Sequence, residues 1–104
     1  MYRVINNNMS YKVRVKYSKP SADVSLHTPP TAYINLINTM FDDGKITQKP
    51  VETIDGLNYT YEIIFVNEAA YVEFTDNEVA NINYNTRADH CTTHSISYSV
   101  EAGV

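Results

Sequence analysis

The sequence has no tryptophan, one cysteine and only three glycines in 104 residues. The lone Cys91 excludes an internal disulfide and suits a reducing compartment. Gly44, Gly56 and Gly103 stand isolated, so no glycine-rich phosphate loop is available for nucleotide or dinucleotide binding. No apolar run approaches the roughly 18 residues of a membrane-spanning helix. Met1 to Asn8 lacks the apolar block of a secretory signal, so secretion by a signal peptide is not expected. Acidic residues are missing altogether from the first nineteen positions.

What is present describes one folded domain over residues 1–104, with 1–10 as an N-terminal extension or arm. Met9-Ser10 offers a second start within that arm. Hydrophobic residues make up 43% of the chain, enough to form a core and too many for compositional disorder. Arg3, Lys12, Arg14, Lys16 and Lys19 give the first nineteen residues a charge of +5. Lys45, Lys49 and Arg87 then face all twelve acidic residues, a balance of −9. An acidic body repels phosphate, which disfavours nucleic acid as a partner.

Tyr11 to Tyr17 alternates strictly. Tyr11, Val13, Val15 and Tyr17 fall on one strand face, and Lys12, Arg14 and Lys16 form a basic stripe on the other. Ser18 to Thr28 reads as a polar loop with a short extended piece at Val24–Leu26. Thr28-Pro29-Pro30 then opens a helix over about residues 29–43, with Thr28 as its cap. Tyr33, Leu36, Ile37, Met40 and Phe41 make one helical stripe, and Gly44 ends it. Ile46–Ile54 and Leu57–Val66 flank Asp55-Gly56, a hairpin signal, with Pro50 marking the first arm as irregular or an edge.

Two readings compete over Asn67 to His94. In one, Asn67 caps Glu68–Phe74 and Thr75-Asp76-Asn77-Glu78 is a capping box opening a second helical segment. In the other, Ala80, Ile82, Tyr84 and Thr86 alternate with Asn81, Asn83 and Asn85 as a strand. Ser95 to Glu101, with Ile96, Tyr98 and Val100 on one face, is the last strand. The helical reading gives an α+β chain of ferredoxin-like βαββαβ plan, an antiparallel sheet with two helices on one face. The strand reading gives a mostly-β sandwich or barrel with one helix.

The hairpin at Asp55-Gly56-Leu57, the apolar strand after it and the stretch Glu68-Ala69-Ala70-Tyr71-Val72-Glu73-Phe74 resemble small ferredoxin-like proteins of the dimeric α+β barrel type. The resemblance covers about half the chain and contains no catalytic motif. It implies a fold and a tendency to oligomerise, since fold does not set function.

Chemistry has few places to reside. His90 and His94 lie one helical turn apart, the spacing of two-histidine metal sites, but no further ligand is marked. Contact with the last helix carbonyls is the expected role, so neither a metal nor a cofactor is expected. Cys91 with His94 as a nucleophile pair lacks an orienting acid. Asp42-Asp43 reads as a solvated turn. No catalytic residues are expected. The leading expectation is a non-enzymatic assembly protein. Richness in Asn and Tyr accompanies AT-rich coding genomes, which points to a bacteriophage virion component placed in the virion or the host cytoplasm. Lys12, Arg14 and Lys16 would meet the acidic surface of a protein partner or of a second copy. One alternative is a small dimeric α+β barrel-type enzyme or ligand-binding protein. Its pocket would lie between sheet and helices and be lined by Tyr33, Tyr61, Phe65 and His90. Another is a phage inhibitor of a host protein.

Overall fold

A computed structural model describes residues 9–104. Residues 1–8, which carry most of the expected arm and Arg3, lie outside the described residues. The chain order is β1 (Tyr11–Ser18), α1 (Thr31–Asp42), β2 (Ile46–Asp55), β3 (Asn58–Phe65), α2 (Glu68–Thr75), α3 (Glu78–Thr93) and β4 (Ser97–Ala102). The fold is α+β, with one four-stranded antiparallel sheet ordered β2-β3-β1-β4. The helical reading of Asn67–His94 therefore holds, as two segments.

The alternation of β1 sets the two faces of the sheet. Val13 pairs with Ile63 and Ala102, and Val15 with Tyr61 and Val100, so these residues share one face. Buried side chains from all three helices join that face in a single core: Ile37 and Met40 from α1, Ala70 and Phe74 from α2, Ala80 from α3, with Val13, Ile46 and Phe65 from the strands. Arg14 pairs in register with Glu62 and Glu101, so the opposite face is charged. This two-layer arrangement buries the apolar stripe of each helix once.

Several boundaries differ from the sequence expectation for local reasons. Pro30, not Thr28, stands at the start of α1, extended at ψ 155° and without a side-chain cap. Thr28 and Pro29 each precede a proline, which disfavours the helical region for both, and Pro30 is itself extended, so the helix starts at Thr31. Its end is as expected. Gly44 adopts φ +77°, Lys45 N–H donates to the Met40 carbonyl at 2.9 Å and Gly44 N–H to that of Phe41 at 3.1 Å. This is a Schellman closure. Phe41 is not buried with its stripe: it is 39% exposed, with Lys49 Nζ 4.7 Å from the centre of its ring. It lies at the margin of the stripe in the last helical turn.

The β2–β3 turn uses Gly56-Leu57 rather than Asp55-Gly56, since Asp55 pairs with Asn58. Gly56 has φ +60° and Leu57 does not share the positive sign, the pattern of a II′ turn, which wants glycine first. Pro50 falls in the irregular part of β2, between register shifts, on an edge strand where a missing N–H is tolerated. Val24–Leu26 forms no strand.

Thr75 does not cap α3. It is the last residue of α2, held there by buried Phe74, and its hydroxyl donates to the Val72 carbonyl at 3.0 Å. Asn77 is the cap, accepting from Val79 N–H at 2.8 Å, as Asn67 caps α2 by accepting from Ala70 N–H at 2.9 Å. At the other end of α3, Ser95 takes φ +58° and Ile96 N–H donates to the Cys91 carbonyl at 2.9 Å. Ser95 and Ile96 therefore close the helix, with Ile96 and Cys91 both buried, and β4 begins only at Ser97.

Candidate functional site

The segment 19–30 between β1 and α1 runs as a strap along α3, touching it at Asn83 and His90. Its start is tied down by Lys19 N–H, which donates to the Leu57 carbonyl at 3.0 Å. Two histidines tie its far half to α3. His90 Nε2 donates to the Ser25 carbonyl at 2.8 Å, and His27 Nε2 donates to Asn83 Oδ1 at 2.9 Å. The two rings lie 5.9 Å apart.

Beneath the strap is a pocket of about 260 Å³. Val15, Tyr17, Tyr61 and Ile63 form its floor on the sheet, Tyr33, Ile34 and Ile37 one wall on α1, and Asn83 and Arg87 the other on α3. Leu26, His27 and Pro29 close it from the strap. Of the residues expected at such a pocket, Tyr33 and Tyr61 line it. Phe65 is fully buried in the core and lines a neighbouring cavity of about 270 Å³. His90 holds the strap instead of facing the pocket.

Arg87 stands between these two cavities and lines both. It is 9% exposed. Its guanidinium is flanked by two rings, with its carbon 4.9 Å from the centre of Tyr84 and 5.1 Å from that of Tyr98. Such stacking stabilises the faces of the cation but does not occupy the donors at its edge. Among the described residues no carboxylate lies within ion-pair distance of Arg87, and its buried Nε has no hydrogen-bond partner. A buried cation without a counter-charge is costly, and natural structures leave few such donors orphaned.

The surrounding phenols stay neutral. Burial pushes the Tyr17, Tyr33 and Tyr84 phenols upward, against the pull of the Arg87 charge. Burial, with Glu52 second, pushes Tyr61 up to about 12. Glu62 contributes to the pocket lining, but its carboxylate is held on the opposite face by Arg14 Nη2 at 2.8 Å and Lys12 Nζ at 3.9 Å. The pocket thus holds one positive charge within aromatic and aliphatic walls.

The basic stripe has a different setting from the one its sequence implies. Lys12 and Arg14 pair with Glu62, and Arg14 and Lys16 pair with Glu101 at 3.4 and 3.1 Å. Three cations meet two acids of neighbouring strands, so the stripe presents one uncompensated positive charge. The basic neighbours hold the Glu101 carboxyl below its ordinary range, chiefly through the Lys16 hydrogen bond.

Elsewhere, His90 and His94 have rings 4.4 Å apart, but no group of three or more His, Cys, Asp or Glu side chains forms a possible metal site among the described residues. The expected contact of these histidines with the last helix carbonyls is replaced, for His90, by the Ser25 carbonyl. Cys91 is 2% exposed and burial pushes its thiol up, the opposite of nucleophile activation.

Arg87, Asn83 and His27 were not marked as site residues by the sequence. The available signal was spacing: Ala80, Asn83, Arg87 and Cys91 recur on one helical face and are all buried. Two polar residues on that face lower its contrast, so the face does not read as a core stripe. Comparison with protein-family models, with curated proteins and with solved structures finds no match to this chain.

Proposed function

We propose that this protein is a non-catalytic binding protein that takes a small molecule into the pocket beneath the strap. One observation carries the reading: a preformed cavity of about 260 Å³ built against a buried arginine that has no counter-charge among the described residues. Ligand sites are typically apolar concavities with a few oriented polar groups, and this one lies just below their usual size. The plan that frames it is ferredoxin-like. The strand order β2-β3-β1-β4 and the helical crossovers on one face support that assignment, with α2 and α3 together in the place of the second helix. A mixed fragment set screened by two-dimensional NMR tests the binding reading. The expected hits move the resonances of His27, Tyr33 and Ile37. Ile37→Trp, which fills the cavity, should abolish them while the fold is retained. A screen in which no fragment moves these residues would end this reading.

A second reading, assembly with copies of itself or with a larger structure such as a virion, is favoured by one observation. β4 is an edge strand, paired only with β1 among the described residues. Such an edge is a template for strand addition. Sheet-to-sheet pairing of the dimeric barrel kind is less favoured, because it would bury Lys12, Arg14, Lys16, Glu62 and Glu101 together. Sedimentation of the wild type against Val100→Pro, which removes an N–H that faces the open edge and spares the β1–β4 hydrogen bonds, separates the two routes. An edge-paired oligomer becomes monomeric in the variant, and an oligomer that survives it uses another surface.

A further inference from the structure

We infer that the ligand of this pocket is a monocarboxylate with a flat apolar body, its carboxylate compensating the charge of the Arg87 guanidinium, which lines the pocket. The inference rests on the binding reading above and specifies its chemistry. Four features lead to it. First, Arg87 is the one arginine or lysine of the lining, and a buried charge is compensated by an opposite charge held against it. A dianionic phosphate would bring a second negative charge with no partner among phenols, an amide and an imidazole already bonded to it. Second, Nε and a neighbouring Nη of an arginine form a planar fork that matches a carboxylate. Here Nε lacks an acceptor among the described residues, and the guanidinium carbon lies 4.9 Å from the centre of the Tyr84 ring and 5.1 Å from that of Tyr98. Third, among the described residues no side-chain carboxylate competes from inside, since Glu62 is committed to Arg14 and Lys12 on the far face. Fourth, the remainder of the pocket is Tyr17, Tyr61, Ile37 and Ile63, walls suited to a planar hydrophobic body.

The strap decides access. His27 and Pro29 lie over the pocket and are tethered through Asn83, on the same helix as Arg87 and one turn before it. Carboxylate binding at Arg87 and closure of the strap at Asn83 therefore act on one helical face.

The test titrates wild-type protein with benzoate, its uncharged isostere benzamide, and phenyl phosphate, read by NMR and calorimetry. Benzoate is expected to move His27, Tyr33 and Arg87 side-chain resonances. Benzamide should bind at least about tenfold more weakly, the loss that follows from removing a charge-assisted hydrogen bond. Phenyl phosphate should fall below benzoate. Arg87→Lys should retain part of the benzoate affinity and Arg87→Gln should abolish the preference over benzamide. The wild-type comparison decides the matter even if an Arg87 variant fails to fold. Equal affinity for benzoate and benzamide at these residues would overturn the carboxylate assignment and leave the binding reading standing. Tighter binding of phenyl phosphate would replace it by a phosphate site. Absence of any benzoate effect overturns the assignment outright, and the mixed fragment screen then judges the pocket independently.

Discussion

Arg14 grips one carboxylate oxygen of Glu62 across the β1–β3 ladder, with Nε at 2.9 Å and Nη2 at 2.8 Å. Register places the two directly opposite, so this contact depends on strand pairing and not on sequence proximity. Lys12, Lys16 and Glu101 extend it into a small network across three strands.

Glu62→Gln should therefore destabilise the fold by about 0.5–1 kcal/mol, and less at high salt. Urea unfolding at low and high ionic strength checks both the size and the screening. Reversing Lys12, Arg14 and Lys16 to Glu should cost more, because it sets like charges against Glu62 and Glu101. A loss of self-association in that variant indicates a lost interface only where its thermal melt matches the wild type.

Phe65 has no exposed surface and its ring lies 5.3 Å from those of Tyr71 and Phe74. Phe65→Ala should cost about 3–5 kcal/mol. Phe41→Ala should cost less than about 1 kcal/mol, since only an exposed ring and its Lys49 contact are lost. Denaturant midpoints of the two variants measure the contrast, and comparable losses would contradict the exposed placement of Phe41.

Asn77→Ala should destabilise the protein by about 1 kcal/mol, because the α3 cap is lost. Thr75→Ala should change stability by no more than about 0.5 kcal/mol, since its hydroxyl bonds back within α2. Equilibrium unfolding of both distinguishes this cap from a capping box that starts at Thr75.

Stability should fall in alkali. Burial raises Tyr17, Tyr33, Tyr71 and Tyr84 above the ordinary phenol value, and Tyr61 to about 12. In the unfolded chain these phenols ionise near about 10, so there the unfolded state binds fewer protons than the native one. The contribution is complete below about pH 10 and is lost as pH rises through about 12 for Tyr61. Tyrosinate absorbance from the buried phenols should therefore appear together with loss of far-ultraviolet circular dichroism. Full tyrosinate formation with the fold intact would contradict the burial of these rings.

Much of the architecture follows from local chemistry that the sequence determines alone. The alternation of Tyr11–Tyr17, the Tyr33–Met40 stripe, Gly44 as a left-handed stop and Asn67 as a cap each act within a few residues. Each leaves a periodic or positional mark. The strand alternative at Ala80–Thr86 was equally legible in that local pattern. Tertiary packing decided against it, because a helix places Ala80, Asn83, Arg87 and Cys91 together against the sheet.

Of the site, only Tyr33 and Tyr61 were legible as pocket residues, and the reason the rest was not is physical. Its parts come from β1, the strap, α1, β3 and α3, and no spacing links His27 to Asn83 or Arg87 to Tyr98. The same holds for the stripe at Lys12, Arg14 and Lys16. Sequence determined its charge and its face. Only strand register decided that Glu62 and Glu101 stand opposite and neutralise most of it, because pairing partners are set by the whole sheet.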